Sequence, residues 1–371
     1  MKIVYVTDAF AVWGGMERVL ADKMNYLIEH YEYEISLLTV NQGDHIVPYD
    51  LNPNVLHIDL GIRMHQQYNY HGIRRIRRIY ELSRLQKMRI KECICNIKPD
   101  IIICVKFDFV GVLLDVKGDV PLIIESHTLC KSEYIDGSGW LRKFHVWLWK
   151  LKICKANAVV TLTESDAREW ENINSHVHVI PNVAHINESG HYSNLQEKSV
   201  IYVGRFSYQK DIESLLRIWQ LVHQRHSDWQ LNIYGDGEMK EHYISIIKRL
   251  NANINVYDPT PTIMECYFQN SILLLTSLYE PFGLVLPEAM SCGLPVVAFD
   301  CPYGPSSIIV DKENGFLIKN RNIDDFVDTI CILIENYQLR KRIGMSAIIS
   351  AKHFSANNIM PLWQKLFNYY K

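Results

Sequence analysis

The chain has 371 residues, of which 48% are hydrophobic and 22% charged, and its 39 basic and 41 acidic side chains nearly cancel. One hydrophobic core rarely serves more than about 250 to 300 residues, so we expect two domains. The composition excludes a disordered or low-complexity chain, and the near-zero net charge gives no reason to expect a polyanionic partner for the whole molecule.

The first half of the chain reads as strands alternating with helices. A β-rich run at 2–7 is followed by two glycines and by a helix whose apolar side chains share one face. Further strands are predicted at 34–40, 101–105, 121–125 and 158–163. This alternation is typical of a parallel sheet covered by helices, as in Rossmann-like α/β domains.

A polar stretch separates this alternation from a second one. We place a linker at 184–198, between an N-terminal domain of residues 1–183 and a C-terminal domain of residues 199–354. The second alternation has predicted strands at 199–203, 230–234, 272–276, 295–299 and 315–318, and helices at 212–223, 239–250 and 324–337. A last amphipathic helix at 359–370 must bury its aromatic face somewhere.

The densest motif begins at Glu280 and reads E-P-F-G-L-V-L-P-E-A-M-S-C-G-L-P. Pro287 is best placed at the first position of a helix that Gly293 terminates, so we expect a loop at 282–286 that leads into the helix. Free amides and the positive end of the helix dipole favour an anion there. Glu288 falls in the first helical turn.

Cations and glycines follow the first strand of each half. Arg205 and Lys210 flank the turn after the strand at 199–203, where an arginine fork and a lysine point charge suit a pyrophosphate. Gly14 and Gly15 lie at the matching turn of the first half, where glycine lets the backbone approach a phosphate. Two surface cations and an ordinary glycine turn are the alternatives.

His127 follows a predicted apolar strand, a position that favours a site residue as much as a structural histidine. The sequence has no G-x-G-x-x-G motif, which argues against a dinucleotide-dependent oxidoreductase. It has no P-loop motif either, which argues against an ATP-hydrolysing enzyme of the P-loop class. It also has no Asp-x-Asp cluster, so we predict no metal and no cofactor. Arginine, lysine and backbone amides would then neutralise a departing phosphate.

Together these motifs resemble glycosyltransferase family 4, the retaining nucleotide-sugar transferases. The resemblance is carried by G-G-M-E-R at 14–18, V-G-R at 203–205 with Lys210, Y-G-D-G at 234–237, and the pair Glu280 and Glu288. It implies the GT-B fold, with two facing Rossmann-like domains, a cleft between them, and a crossover helix at 355–371 that returns to the N-terminal domain. It also implies a hexosyltransferase.

The resemblance assigns roles to single residues. Arg205 and Lys210 would hold the donor diphosphate, and Glu288 would bind the ribose hydroxyls. Glu280 would contact the transferred sugar, with His127 near it, and these two are the catalytic candidates together with Arg205 and Lys210. The donor-binding set is Gly14, Gly15, Arg205, Lys210, Glu280, Phe282, Gly283, Leu284, Val285 and Glu288.

The implied reaction is retaining transfer of a hexose-type sugar from a nucleotide-sugar to a glycan or lipid-linked acceptor, in cell-surface polysaccharide or lipopolysaccharide synthesis. We favour a UDP-sugar, although Tyr257 stands where the family usually has a glycine that shapes the base pocket. One alternative is a nucleotide-sugar epimerase of the same fold, which needs no acceptor. Another, from a different class, is a nucleic-acid-binding protein.

Residues 63–98 form a basic segment, with ten lysines or arginines against two acids. Apolar side chains recur between these cations at helical spacing, and the segment at 140–152 has the same character. Such helices suit an anionic bilayer surface, although ordinary surface helices are the alternative. We predict a cytoplasmic protein, peripheral on the inner membrane face, that reaches a polyprenyl or lipid-linked acceptor and binds no nucleic acid. The predicted surface is Arg74, Arg75, Arg77, Arg78, Trp140, Lys143 and Trp147.

Overall fold

The computed structural model describes residues 1–12, 14–130 and 140–371, and of residues 140–145 it describes the backbone only. The chain divides into two compact units, one made of Met1–Val183 and Ile359–Lys371, the other of Ala184–Asn358. The predicted linker at 184–198 therefore belongs to the second unit. The chain returns to the first unit at Ile359, so its first and last residues share one unit.

The first unit is an α/β structure. Its strands are β1 (Lys2–Thr7), β2 (Glu34–Thr39), β3 (Leu56–Asp59), β4 (Ile101–Cys104), β5 (Leu122–Glu125), β6 (Ala158–Thr161) and β7 (Val177–Val179). Its helices include α1 (Gly15–Tyr31), α2 (Gly72–Ile97), α3 (Val110–Val116), α4 (Trp140–Ile153) and α5 (Glu164–Trp170). Within the described residues the strands pair in parallel in the order β3-β2-β1-β4-β5-β6-β7.

The central strands form because their sequences are continuous aliphatic runs. All four residues of β4 are buried, as expected where helices cover both faces of a parallel sheet. The outer strands β3 and β7 are short and only partly buried, and each contains a histidine. The sequence did not predict these two strands because their polar side chains interrupt the apolar pattern.

The second unit repeats the architecture. Its strands are β8 (Ser199–Val203), β9 (Gln230–Tyr234), β10 (Ile254–Tyr257), β11 (Ile272–Leu275), β12 (Val296–Phe299) and β13 (Phe316–Ile318). Its helices include α6 (Ile212–Arg225), α7 (Lys240–Ile247), α8 (Ile263–Phe268), α9 (Val285–Ser291), α10 (Pro305–Ile308), α11 (Ile323–Glu335) and α12 (Tyr337–Ala351). In the part of the chain that the structure describes, this sheet is parallel and ordered β10-β9-β8-β11-β12-β13.

The last helix, α13 (Ala356–Tyr370), contributes its residues from Ile359 onward to the first unit. Its buried side chains, Ile359, Met360, Trp363, Leu366 and Phe367, form the aromatic and aliphatic face that the sequence predicted. The Phe367 ring lies 6.4 Å, between centroids, from that of Tyr33 near the end of α1. The C-terminal helix thus completes the core of the unit with which the chain begins.

Candidate functional site

The second sheet has its topological switch point between β8 and β11, where the order of the strands reverses. Open parallel sheets bind ligands outside the carboxyl ends of their strands at such a point. Arg205 and Lys210 lie in the segment after β8, and Glu280 lies in the segment after β11. The fold therefore brings three of the predicted site residues to one edge of one sheet.

Lys210 and Glu280 are in direct contact. The Lys210 ammonium donates to Oε2 of Glu280 at 2.5 Å, and the Ser277 hydroxyl donates to the same oxygen at 3.1 Å. Only 16% of the Lys210 side chain and 10% of the Glu280 side chain are exposed. Charged side chains that are this deeply buried need partners of opposite charge. An anionic ligand that reaches Lys210 must therefore either displace the Glu280 carboxylate or bind Lys210 alongside it.

Backbone contacts fix the two segments to each other. The Lys210 carbonyl accepts a hydrogen bond from the Thr276 hydroxyl at 3.1 Å. The Leu278 amide donates to the Gln209 carbonyl at 2.8 Å. These bonds hold the Lys210 segment and the Glu280 segment in one register, so the ion pair is built on a fixed frame.

Arg321 strengthens this frame. Its guanidinium donates to the carbonyl of Ser277 at 2.8 Å and to that of Thr276 at 3.1 Å, and it also pairs with the Asp211 carboxylate. Its Cζ atom lies 4.2 Å from the centroid of the Phe299 ring. Sequence reasoning missed Arg321 because carbonyl partners leave no spacing signal in a sequence.

Arg205 lies in the turn after β8, and its side chain is exposed. This turn packs tightly against the turn after β9, since a Cβ on Gly235 would come within 2.0 Å of the Gly204 carbonyl oxygen. Only glycine permits such an approach. The neighbouring Phe206 is fully buried. Arg205 is therefore an exposed cation on an anchored turn.

A second close approach supports the Glu280 loop. The Gly304 amide donates to the Glu280 carbonyl at 2.7 Å, and a Cβ on Gly304 would come within 2.2 Å of the Phe282 carbonyl oxygen. Phe282 itself is buried, with its ring edge-on to that of Phe354 at 5.5 Å between centroids. The sequence did not identify Gly304 as part of the site, because the contact joins two loops that are distant along the chain.

Helix α9 begins two residues earlier than predicted. Pro287 is its third residue and not its first, and Gly293 follows its end with a φ of +86°. Proline is tolerated there because the first amides of a helix have no partner within it. The expected loop at 282–286 is correspondingly shorter.

The other donor-binding candidates of the second unit lie in and around this helix. Gly283 is in the loop with a φ of +92°, Leu284 caps the helix, and Val285 opens it. Glu288 is buried inside the unit, where the Tyr267 hydroxyl donates to its Oε2 at 3.5 Å. Glu288 is thus held by protein groups in the first turn of α9.

In the first unit the switch point lies between β1 and β4. Helix α1 begins at Gly15, and Gly14 precedes it in an extended conformation. The Gly14 carbonyl accepts a hydrogen bond from the Tyr49 hydroxyl at 3.1 Å. The two glycines therefore lie at a helix N-terminus beyond the carboxyl end of β1, as predicted.

His127 belongs to a buried group of charged side chains in the first unit. Its Nε2 lies 3.1 Å from Oε1 of Glu125, the last residue of β5. The other oxygen of Glu125 accepts a hydrogen bond from the ammonium of Lys23 in α1. The Lys23 and Glu125 side chains are 1% and 2% exposed. Trp363 of α13 covers Lys23, with its ring centroid 3.8 Å from Nζ.

The pKa values within this group follow from burial and pairing. Burial alone would raise the pKa of Glu125, but the charge of Lys23, the electrostatic influence of the His127 ring and hydrogen bonds from both side chains hold it at about 2. Burial lowers the pKa of Lys23, an effect that the same carboxylate opposes. Glu125 is therefore an ionised acceptor at neutral pH. Of this group the sequence had identified only His127.

The predicted basic surface includes the start of α2. Arg74 and Arg77 are exposed there. The apolar side chains Ile73 and Ile76 beside them are 84% and 68% exposed. Neighbouring exposed apolar side chains rimmed by polar ones can mark an interaction surface.

Not every predicted surface residue is equally accessible. Arg75 is half-buried over the Tyr68 ring, and Arg78 is half-buried and donates to Gln66 Oε1 at 2.9 Å. Trp147 in α4 is exposed. The predicted side chains of Trp140 and Lys143 lie outside the described residues. No helix in the described parts of the chain is both long and apolar enough to cross a bilayer.

Comparison with known proteins matches both halves of the chain to glycosyltransferases. Residues 13–188 match the family described as Glycosyltransferase Family 4, and residues 186–348 match Glycosyl transferases group 1. The amylovoran biosynthesis glycosyltransferase AmsD of Erwinia amylovora is 26% identical over 378 residues, which cover 99% of each chain. A Staphylococcus aureus poly(ribitol-phosphate) alpha-N-acetylglucosaminyltransferase is 33% identical over 244 residues, 64% of this chain and 48% of that protein.

The fold has solved counterparts. The Anabaena protein HepE, whose structure is described as a complex with UDP and glucose, superposes with a TM-score of 0.77. The match covers 99% of both chains at 18% sequence identity. A likeness at that identity establishes the fold alone.

Proposed function

The chain belongs to the glycosyltransferases of the GT-B fold, and from this premise we propose that it transfers a hexose-type sugar from a UDP-sugar to a glycan or lipid-linked acceptor. The reaction would serve cell-surface polysaccharide synthesis, and it would retain the anomeric configuration. AmsD, a relative that matches nearly the whole chain, is described as an amylovoran biosynthesis glycosyltransferase. The UDP donor is supported by the description of HepE.

The Lys210–Glu280 ion pair carries this proposal. It lies at the carboxyl ends of the two strands that flank the switch point of the second sheet, and it joins a cation to an acceptor group. Lys210 could attract the donor diphosphate while Glu280 accepts hydrogen bonds from sugar hydroxyls. This one ion pair would then hold both the diphosphate and the sugar of the donor, and the bond between these two groups is the one that breaks.

We assign charge stabilisation on the departing diphosphate to Arg205 and Lys210. One well-placed donor to a developing anion contributes about 3 to 4 kcal/mol to catalysis. Two cations make a metal ion unnecessary in this scheme, so transfer should continue at full rate in excess EDTA. A rate that collapses in EDTA and recovers with Mg²⁺ or Mn²⁺ would contradict the scheme.

Retention without a covalent thiol intermediate is consistent with the nearby cysteines. Burial and the Glu280 carboxylate raise the pKa of Cys301 to about 12, and burial raises that of Cys292 to about 12. A protonated thiol is a poor nucleophile. Neither thiol is therefore a candidate for a covalent intermediate. If transfer retains the anomeric configuration, as we propose, proton NMR of the first product should show an α-linkage from an α-linked donor. A β-linked first product would exclude retention.

Glu288 and His127 complete the proposed set. We assign the ribose hydroxyls to Glu288, whose Oε2 accepts a hydrogen bond from the Tyr267 hydroxyl at 3.5 Å, and the transferred sugar to His127. Gly14 and Gly15 are assigned to the approach of the donor phosphate.

The decisive experiment combines binding with turnover. A thermal-shift screen against UDP, GDP, ADP and their sugars identifies the donor, because a ligand that binds only the folded state raises its melting temperature. Transfer is then measured with and without glycan acceptors. Isomerisation of the donor without acceptor would favour an epimerase. Binding to RNA with no nucleotide-sugar binding would favour the nucleic-acid alternative.

We also propose that the start of α2 binds the anionic cytoplasmic face of a membrane, where a lipid-linked acceptor is found. The support is the alternation of exposed Ile73 and Ile76 with exposed Arg74 and Arg77. Apolar side chains can enter the headgroup region while the cations meet anionic lipid.

This surface can be tested with vesicles of phosphatidylglycerol and phosphatidylcholine at low salt. Arg74→Glu/Arg77→Glu should abolish co-sedimentation. Lys341→Glu/Arg342→Glu, which makes the same charge change at exposed positions of the second unit, should not. Equal binding by both variants would remove α2 from the membrane surface.

A further inference from the structure

The most completely buried charge described in the first unit is the ammonium of Lys23. It lies in α1 among apolar residues, and its side chain is 1% exposed. Moving an ammonium group out of water is costly, and a lysine at such depth is retained where it has an anionic partner or an aromatic face. Lys23 has both, namely the Glu125 carboxylate and the Trp363 ring.

Glu125 has a charged group on each side. Oε2 faces Lys23, and Oε1 faces Nε2 of His127 at 3.1 Å. Within the described residues, His127 Nε2 is buried and makes no well-aligned hydrogen bond, and the Glu125 carboxylate at 3.1 Å is the charged group that it faces. A carboxylate that Lys23 keeps ionised can only accept hydrogen bonds. A neutral His127 then satisfies Glu125 only if its proton is on Nε2, which leaves Nδ1 as the acceptor nitrogen.

We propose that Lys23 and Trp363 are positioning residues for His127. They keep Glu125 an ionised acceptor, and Glu125 holds the His127 proton on Nε2, so that Nδ1 accepts a hydrogen bond from a hydroxyl of the transferred sugar. Only the last step, the hydrogen bond from the sugar hydroxyl to Nδ1, rests on the function proposed above. The control of the His127 tautomer by Lys23 and Glu125 is a property of the protein without substrate.

Helix α13 contributes to this buried group through Trp363. Its ring centroid is 3.8 Å from Lys23 Nζ, and the Tyr5 ring centroid is 5.1 Å from the same atom. Aromatic faces attract a desolvated cation, so they replace part of the hydration that Lys23 loses. A leucine at position 363 would keep an apolar side chain and lose this attraction, whereas a phenylalanine, which is also smaller than tryptophan, would keep an aromatic face.

The central variant is Lys23→Met/Glu125→Gln, which replaces both charges with neutral side chains of similar size. Replacing both partners of a buried pair is far less disruptive than removing one, so this variant should fold. The matched control is Lys198→Met/Asp228→Asn, which removes a lysine–carboxylate pair of 2.6 Å whose side chains are 63% and 56% exposed in the second unit.

The first readout is ¹⁵N NMR of the imidazole rings, with His127 assigned by the signal lost in His127→Gln. Wild type and the control should show the Nε2–H tautomer. The double variant should show a mixture, because a glutamine amide can donate or accept. The His127 tautomer population of Trp363→Leu should shift toward the mixture, and that of Trp363→Phe should stay near the wild-type population. An unchanged Nε2–H signal in the folded double variant would overturn the proposal, and so would identical spectra of Trp363→Leu and Trp363→Phe.

The second readout is turnover. The double variant should lose about tenfold to a hundredfold in kcat, since misplaced catalytic groups cost that much, with a donor KM within about twofold of wild type. A folded double variant with a mixed tautomer and wild-type kcat would remove His127 Nδ1 from the reaction. If wild type transfers no sugar from any donor, the proposed function fails, but the NMR spectra still test whether Lys23 and Glu125 control the His127 tautomer. If the double variant does not fold, the comparison of Trp363→Leu with Trp363→Phe tests the same claim.

Discussion

Arg205 and Lys210 follow the same strand but differ in their surroundings. The Lys210 side chain is only 16% exposed and already bound to Glu280, whereas Arg205 is exposed on a turn that the glycines at 204 and 235 allow to pack tightly. Removing an exposed side chain leaves no cavity and no unpaired charge. The effects of Arg205 on activity and on stability can therefore be separated.

Arg205→Ala should lower kcat/KM by about a hundredfold or more, because a cation that stabilises the departing diphosphate is lost. Its free energy of unfolding should stay within about 0.5 kcal/mol of wild type, as is usual for surface substitutions. Arg217→Ala, at an exposed position of α6, is the control and should change neither quantity. Near-normal activity of Arg205→Ala would remove this residue from the phosphate site. Steady-state kinetics and urea unfolding provide both values.

The Glu125 carboxylate predicts a dependence of stability on pH. Its pKa of about 2 in the folded protein lies below the value of about 4.3 for an unfolded glutamate. A depressed folded pKa means that the stabilisation is present above the unfolded pKa and is lost as the pH falls toward the folded one. The difference corresponds to about 3 kcal/mol. Urea unfolding between pH 5 and about 2 should show this loss of unfolding free energy in wild type but not in Lys23→Met/Glu125→Gln. If the unfolding free energies of the two proteins fall in parallel with pH, the prediction is wrong.

At the scale of elements, the loops of the second unit are held by contacts between distant parts of the chain. The Gly304 amide binds the Glu280 carbonyl, and Arg321 binds the carbonyls at the end of β11. The site therefore depends on segments that carry no proposed catalytic group.

Gly304→Ala tests this dependence. Its φ of −62° suits alanine, but the added Cβ would meet the Phe282 carbonyl oxygen at 2.2 Å and must displace the Glu280 loop. We expect a loss of about 1 to 3 kcal/mol in stability and a tenfold or greater loss of kcat. In the control Gly111→Ala, the Cβ meets only the flexible end of Lys152 at 2.9 Å. Unchanged turnover in Gly304→Ala would show that the loop tolerates displacement.

The sequence predicted the elements whose pattern is local. The aliphatic strands β4 and β11 were predicted to within one residue, whereas the partly exposed β10 was missed because asparagine and tyrosine interrupt its apolar side chains. Helix α12 was also missed, because it has no clear apolar stripe. Lys210 and Glu280 were identified through the motif around them, but their ion pair could not be, since it joins two segments through the sheet order.

The buried charges escaped prediction for a related reason. Lys23 falls within the helical pattern of α1, and a lysine there reads as solvated until its partner is known. That partner, Glu125, is 102 residues away in sequence, and the aromatic cover comes from the other end of the chain. A buried charge is visible only when the elements around it have been assembled.

For the whole molecule, the return of the chain at Ile359 makes the stability of the first unit depend on the C-terminus. The five buried side chains of α13 contribute about 1.5 to 3 kcal/mol each when buried. Their sum is comparable with the entire stability of a typical domain. The second unit has its own core, which includes Trp219 and Phe326.

Deleting residues 359–371 should therefore unfold the first unit and leave the second folded. Hydrogen exchange followed by mass spectrometry should show loss of protection in residues 1–183 and retained protection in residues 184–358. Deleting only the exposed Lys371 should change neither. Loss of protection throughout the chain would mean that the units do not fold independently.

The position of Trp363 over Lys23 also has a consequence for synthesis on the ribosome. At about 5 to 20 residues per second, Lys23 leaves the ribosome tens of seconds before the residue that covers it. The second unit, although encoded later, is complete in sequence before the first one is. The core of the first unit therefore stays unfinished on the nascent chain until residues 359–370 have been translated.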